Sequence, residues 1–265
     1  MSELSVSIPT SVVLCTWLSL LVCLLVPLGG YAALQIRRQH VSLSFLWGIL
    51  TFLVASVLVR NIIIGILLPG LPGYAWLQAN PWAMGLVYGL SAGILEECGR
   101  LIVLANFMPR NRRYVDGLAM GLGHAWLEAI LVAGLGLVSN LAAFSAVQNG
   151  VHLQLEAEQA MEIVQAVQAI TVQDTLLVAA ERLMAMVMHV AFTLMLLNGL
   201  REGRPVRGLL LAVGAHSLVD SIASIIVAYL PLSTLALEGI VLAMTAPLGW
   251  YAFWVRRRFQ ELRRA

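Results

Sequence analysis

Ten ionisable side chains stand inside runs of apolar residues, and their types and spacing suit hydrolytic or metal chemistry. Glu96, Glu97 and Arg100 share one run, His124 and Glu128 a second, Glu181, Arg182 and His189 a third, and His216 and Asp220 a fourth. Glu96 and Arg100, His124 and Glu128, and His216 and Asp220 are each separated by one helical turn, so each pair shares a helix face. A histidine and a carboxylate so placed can ligate one metal ion, or the carboxylate can orient the imidazole from behind. Taken singly, each feature has a plainer reading: a packed histidine, or a structural salt bridge between Glu96 and Arg100. Their convergence is what favours function.

That convergence is visible in depth. An α-helix rises about 1.5 Å per residue. On that scale Glu97 lies about 18 Å before Pro109, His124 about 16 Å beyond Arg113, and His189 about 18 Å before Arg201. His216 and Asp220 lie about 14 and 20 Å beyond Arg207. Four helices thus bring ionisable groups to one level. Glu181 is about 30 Å from the same edge, nearer the opposite side, where a structural or gating ion pair with Arg182 is expected. Small residues surround the level: Gly93, Gly99, Gly117, Gly121, Gly123, Ala125, Gly214 and Ala215. Such residues let helices approach closely in lipid. Met184, Met186 and Met188, which flank His189, read as packing.

The elements that hold these groups follow from composition. Of 265 residues, 60% are hydrophobic and only 11% charged, against roughly 25% charged in soluble domains. A soluble core of this size cannot enclose so much apolar surface, and nothing marks a nucleic-acid partner. The chain reads as an all-α integral membrane protein, one polytopic domain over 1–265. Its expected architecture is a bundle of about seven transmembrane helices with a polar site at mid-membrane depth. The spans are 11–35, 42–68, 82–108, 117–143, 174–200, 208–230 and 234–255, each near the length that crosses a bilayer. In hydrocarbon each charge costs about 2.5–3.5 kcal/mol on insertion scales. The ten groups must therefore pair, bind an ion or line water. The cysteines Cys15, Cys23 and Cys98 match no metal spacing and read as small core hydrophobes.

Arginine supplies all the basic residues. Arg37 and Arg38, Arg110 to Arg113, Arg201 to Arg207 and the C-terminal group Arg256 to Arg264 all fall on one side of the seven-span pattern. The other three of the 16, Arg60, Arg100 and Arg182, lie within spans. By the positive-inside rule this places the N-terminus outside and the C-terminus in the cytoplasm, in a multi-pass protein of the plasma membrane. The first apolar run is too long for a signal peptide and has no basic residue before it, so it reads as a retained anchor. An external loop at about 144–173 contains a helix from Leu153 to Ile170. Leu155, Met161, Ile163, Val164 and Val167 group on one face, as in an amphipathic interfacial helix, with a solvated helical linker as the plainer reading.

At the buried residues the sequence resembles a known family. Ala-Gly-Ile-Leu-Glu-Glu-Cys-Gly-Arg runs from Ala92 to Arg100. Gly-Leu-Gly-His-Ala-Trp-Leu-Glu-Ala runs from Gly121 to Ala129. Glu181-Arg182 precedes His189, and His216-Ser-Leu-Val-Asp220 follows. This order is similar to the YhfC family of intramembrane metalloproteases over about 40–255. It is more distantly similar to the CAAX-prenyl and bacteriocin-processing membrane proteases (CPBP, or ABI). The latter carry Glu-Glu-x-x-x-Arg, Phe-x-x-x-His and His-x-x-x-Asn/Asp motifs. Here Arg100 comes one residue early and Ala185 stands where the Phe would be, so His124 rivals His189 for the second motif.

The resemblance implies an intramembrane endopeptidase acting on a membrane protein or a lipidated peptide. Glu96 or Glu97 would activate water, Arg100 would hold the glutamates, and His216 with Asp220 would stabilise the oxyanion. His124, Glu128, His189 and His216 would hold a divalent metal, zinc being favoured by three imidazoles with carboxylates. A metal-free glutamate–histidine mechanism stands beside it. The alternatives are an ion-coupled transporter, which intramembrane acids also mark, and an inactive scaffold binding partner helices. Against the carrier, the sequence shows no repeat and no matched broken helices.

Overall fold

Each apolar run of the sequence becomes a long helix, and the breaks fall at proline, glycine and arginine clusters. The structure, a computed structural model, describes residues 7–150, 154 and 156–261. The helices are α1 (Thr10–Ile36), α2 (Ser42–Gly70), the short α3 (Tyr74–Gln78), α4 (Pro81–Ile102), α5 (Tyr114–Gln148), α6 (Ala157–Ala169), α7 (Val172–Arg201), α8 (Pro205–Tyr229) and α9 (Thr234–Gln260). No strand occurs among the described residues. This is an all-α membrane protein. Arg263, Arg264, Leu153 and Leu155 lie outside the described residues.

Among the described residues, six helices are long and apolar enough to cross a membrane: α1, α2, α5, α7, α8 and α9. The remaining expected span is α4, which carries Glu96, Glu97 and Arg100 and is less apolar for that reason. It continues through a π turn, Val103–Phe107. Two more π segments interrupt α2, at Phe52–Arg60 and Ile63–Leu67, and another lies in α5 at Ala129–Gly134. Pro205 opens α8 at its first turn, where the missing N–H is no loss. Gly203 precedes it at φ +69°, the left-handed conformation that ends α7.

Internal packing groups the chain into two compact units. The first comprises the chain up to Val26 and Glu128–Leu183. Its apolar core joins Ile8 and Val12 to Phe144, Val147 and Val167. Of the apolar face expected on α6, Val167 is buried and Val164 packs on this core, whereas Met161 and Ile163 are exposed. The second unit comprises Pro27–Leu127 and everything from Met184 onward. Its core is built on α7, with Phe192, Leu194, Leu196 and Leu197 enclosed by Leu104, Met120, Val255 and Phe259. Met184 and Met188 belong to this core. An all-round apolar helix such as α7 is stable only when surrounded.

Candidate active site

Glycines set the distances between the helices of the second unit. On α4, Gly85, Gly89 and Gly93 recur at every fourth residue. A Cβ on Gly89 would lie 2.1 Å from Ser221 Oγ and 2.5 Å from Ser217 O; one on Gly93 would lie 2.2 Å from Ser217 Oγ. The stripe therefore seats α4 against the backbone of α8. Glu97 is the next residue on the same stripe. Its carboxylate points at α8 and meets His216, with Nδ1 to Oε1 at 2.8 Å. Arg100 lies three residues on and donates from Nη1 to both Glu97 oxygens, at 2.9 and 3.0 Å. Glu97 and Arg100 have no exposure to solvent.

α5 is seated the same way on two sides. A Cβ on Gly123 would lie 2.0 Å from Phe45 O, and one on Gly48 would lie 2.1 Å from Met120 O, which locks α5 to α2. Gly121 and Gly117 face Val190 and Leu194 of α7. His124 and His189 are consequently neighbours, ring centroids 4.5 Å apart, and His189 and His216 follow at 5.4 Å. Of the other small residues singled out above, Gly99 faces Ala55 of α2, while a Cβ on Gly214 would meet nothing within 4 Å.

Glu96 faces away from Glu97 toward this histidine pair. Ser56 Oγ donates to its Oε1 at 2.8 Å, and its Oε2 lies 3.0 Å from His124 Nε2. Arg100 Nη2 reaches His124 Nε2 at 3.0 Å and His189 Nδ1 at 3.2 Å, and it is 3.9 Å from Glu96 Oε2. Thr51 stands behind His124. Its hydroxyl donates to Gly48 O at 2.8 Å, so it accepts from His124 Nδ1, 3.4 Å away. That assignment puts the imidazole proton on Nδ1 and leaves a lone pair on Nε2. The Nε2 lone pair and the Glu96 Oε2 then face one another, two electron-rich atoms that a cation beside them stabilises. Arg100 Nη2 supplies partial compensation.

The donor set suits a metal ion. Ligand atoms of Glu96, His124 and His189 all lie within 4.8 Å of one another, and all three residues are buried. Two carboxylates share one guanidinium here, Arg100, and a divalent ion would bring further positive charge to the same low-dielectric place. Two imidazoles and one carboxylate with an open fourth position are a recurrent set for catalytic zinc. Thr51 behind His124 is the outer partner that such a ligand normally has.

The remaining residues fall elsewhere. Asp220 Oδ2 is 3.5 Å from His216 Nε2, and its side chain is 39% exposed, which makes it the edge of the site. Glu128 belongs to the first unit, where its Oε1 accepts from Arg182 Nη1 at 3.0 Å. Arg182 Nη2 also donates to Glu181. Among the described residues, the group that could hold a metal contains Glu96 and not Glu128, and His216 is engaged by Glu97. Arg60 donates to Ser91 Oγ and Tyr88 O, tying α2 to α4. Buried Asp116 was not singled out in the sequence. It clamps Arg113 through both oxygens and accepts from Ser44 at the start of α5.

Thr51 and Ser56 are the site residues that sequence reasoning passes over. They stand five residues apart, which in an α-helix would aim them in different directions. The π segment that begins at Phe52 restores them to one side, because its repeat is i to i+5. Two hydroxyls five apart in an apolar span were the available signal.

A family profile described as YhfC intramembrane metalloprotease matches residues 22–241, most of the chain. The chain belongs to the YhfC family. A YhfC relative, described as an uncharacterized membrane protein of Bacillus subtilis (strain 168), is 31% identical over 214 residues, which cover 75% of this chain and 79% of the relative. No solved structure matches the chain. The YhfC match takes in all four helices that bear the buried acids and histidines, and also Thr51 and Ser56.

Proposed function

We propose that this YhfC family member is an intramembrane endopeptidase that cleaves membrane-embedded or lipidated substrates. One observation carries the reading: two glutamates, braced by a single buried arginine, face three histidines from three other helices. A structural ion pair needs no imidazoles, and the family's description names this chemistry.

In this mechanism Glu96, His124 and His189 would hold a divalent metal ion, which when bound polarises the scissile carbonyl and acidifies water. Zinc fits the donor set best. Glu97 is the general base. Arg100 and His216 fix its carboxylate, and it takes one proton from the attacking water. The water oxygen bonds to the carbonyl carbon, and the carbon–nitrogen bond then breaks. His216 bridges Glu97 and the half-exposed Asp220, so it passes the proton that Glu97 took from water on to the departing amine, which returns Glu97 and His216 to their starting states while Asp220 holds the imidazole. Ser56 orients Glu96, and Thr51 keeps the His124 lone pair aimed inward. Metal-free hydrolysis by the same Glu97–His216 pair is the competing form of this reaction.

The arginine distribution supports an external N-terminus and a cytoplasmic C-terminus at the plasma membrane. An impermeant thiol reagent on intact cells should label a cysteine at Gln148 and spare one at Gln260. For the chemistry, purified protein should carry about one zinc per chain, and His189→Ala should lose most of it. Proteoliposomes should hydrolyse a transmembrane peptide, and a strong chelator should stop them. Activity unchanged by metal removal would leave the metal-free mechanism. Absence of hydrolysis in zinc-loaded protein, across a library of transmembrane and lipidated peptides, would overturn the peptidase reading.

A further inference from the structure

At the end of the second unit that bears the arginine clusters, a cavity of about 200 Å³ opens between α5, α7 and α9. Arg113, Arg201 and Arg256 line it, with Gln39, Tyr114 and Phe259. The three arginines stand at or near helix ends, Arg113 just before α5, Arg201 closing α7 and Arg256 in the last turns of α9. Groups at helix ends of a membrane bundle lie at the level of lipid headgroups.

Two of the guanidiniums are held in place. Arg113 is fixed by Asp116 through Nε and Nη2, and Nη2 also donates to Gln39 O at 2.7 Å. Arg201 donates from Nη1 to Arg112 O at 2.9 Å and lies over the Phe259 ring, 4.5 Å from its centroid. The third, Arg256, forms no hydrogen bond or ion pair among the described residues and is exposed. Asp116 has both oxygens taken by Arg113 and one also by Ser44, so this pair is neutral and the unbalanced charge at the cavity comes from Arg201 and Arg256. Glu202 is paired with Arg258 at 2.9 Å, outside this cavity. The cavity therefore presents a surplus of positive charge, pre-set donors, and room for a phosphate with a few waters.

We propose that this cavity binds a phosphate group, and that the phosphodiester of an anionic phospholipid headgroup is its occupant in the membrane. Arginine forks match phosphate oxygens bidentately. Basic pockets between helix ends on the arginine-rich side of a membrane protein have this recognition chemistry. The bound lipid would bridge α5 and α7, the helices that carry His124 and His189. The inference does not rest on the peptidase reading and can be tested without any activity assay.

The test is thermal unfolding of the purified protein in neutral detergent, followed by tryptophan fluorescence. Phosphatidylglycerol, phosphatidylcholine and inorganic phosphate are titrated separately. Phosphatidylglycerol should raise the melting temperature and phosphatidylcholine should not. Arg256→Gln should weaken the apparent affinity for phosphatidylglycerol about fivefold. Arg257→Gln, which alters an exposed arginine outside the cavity, should leave it unchanged. If inorganic phosphate stabilises as well as the lipid does, and Arg256→Gln weakens both, the site stands with free phosphate as its occupant. If neither anion shifts unfolding, or the Arg256 and Arg257 variants weaken binding equally, the cavity site is overturned.

Discussion

Arg100 and Arg182 are both buried guanidiniums held by two glutamates, one in each compact unit, yet their surroundings differ. Around Arg182, Glu128 and Glu181 keep 16% and 42% of their side chains exposed, so this cluster is only partly enclosed. Around Arg100, Glu97 is fully enclosed and Glu96 nearly so, and three imidazoles stand where water would be. Charged residues in an apolar run are thus an incomplete signal. On the proposed function, the ring of groups that could change partner or bind a metal is what would separate a site of chemistry from an ion pair that ties helices together.

The sharpest way to break this comparison is to remove one member from each cluster. Glu97→Gln and His216→Ala should each lower hydrolysis about 10²- to 10⁴-fold while helicity and monodispersity are kept. Arg182→Gln should instead leave turnover per folded molecule intact and cost about 3–5 kcal/mol of stability, because it strands a carboxylate. If turnover collapsed in folded Arg182→Gln protein, the two clusters would have to be treated as one machine. Next in size is Gly89→Ala. Its Cβ would meet backbone atoms of Ser217 and Ser221 at 2.5 Å. Separating α4 from α8 should cost about 1–3 kcal/mol and reduce activity through the Glu97–His216 contact. Gly214→Ala, with open space around it, is the matched control, and both are read by thermal unfolding beside turnover.

Thr51→Val sharpens the comparison without disturbing packing. Loss of the acceptor behind His124 should weaken metal binding about 10- to 100-fold, measured by competition with a chromogenic chelator. Equal affinity in the variant would remove Thr51 from the site. The smallest effect is expected at Arg60, outside both clusters. Arg60→Gln should cost about 1 kcal/mol in unfolding experiments and leave turnover unchanged.

The spans were legible because apolar length is a local property, and Pro81, Pro205 and the arginine clusters mark their ends. The acids and histidines of α4, α5, α7 and α8 were legible because charge in such a run is costly and therefore conspicuous. The contact of Glu128 with Arg182 was not, because the spacing of Glu128 from His124 on one helix says nothing about an arginine on another. Thr51 and Ser56 were hidden by the π segment, which changes the periodicity on which a face assignment rests. Hydroxyls are also inexpensive in lipid and stand out little. Asp116 was hidden by its place in a charged loop, where an acid looks solvated.

The modest hydropathy of α4 has a consequence for biogenesis. Its two glutamates and arginine make independent entry into lipid unfavourable, and the three histidines that complete their pairing arrive later in the chain. His216, the partner of Glu97, is synthesised 119 residues afterwards. Until α8 emerges, α4 should linger beside the insertion machinery, sheltered by protein instead of lipid. Assembly of this membrane protein then becomes cooperative near its end, and chains truncated before α8 should be recognised as incomplete and degraded.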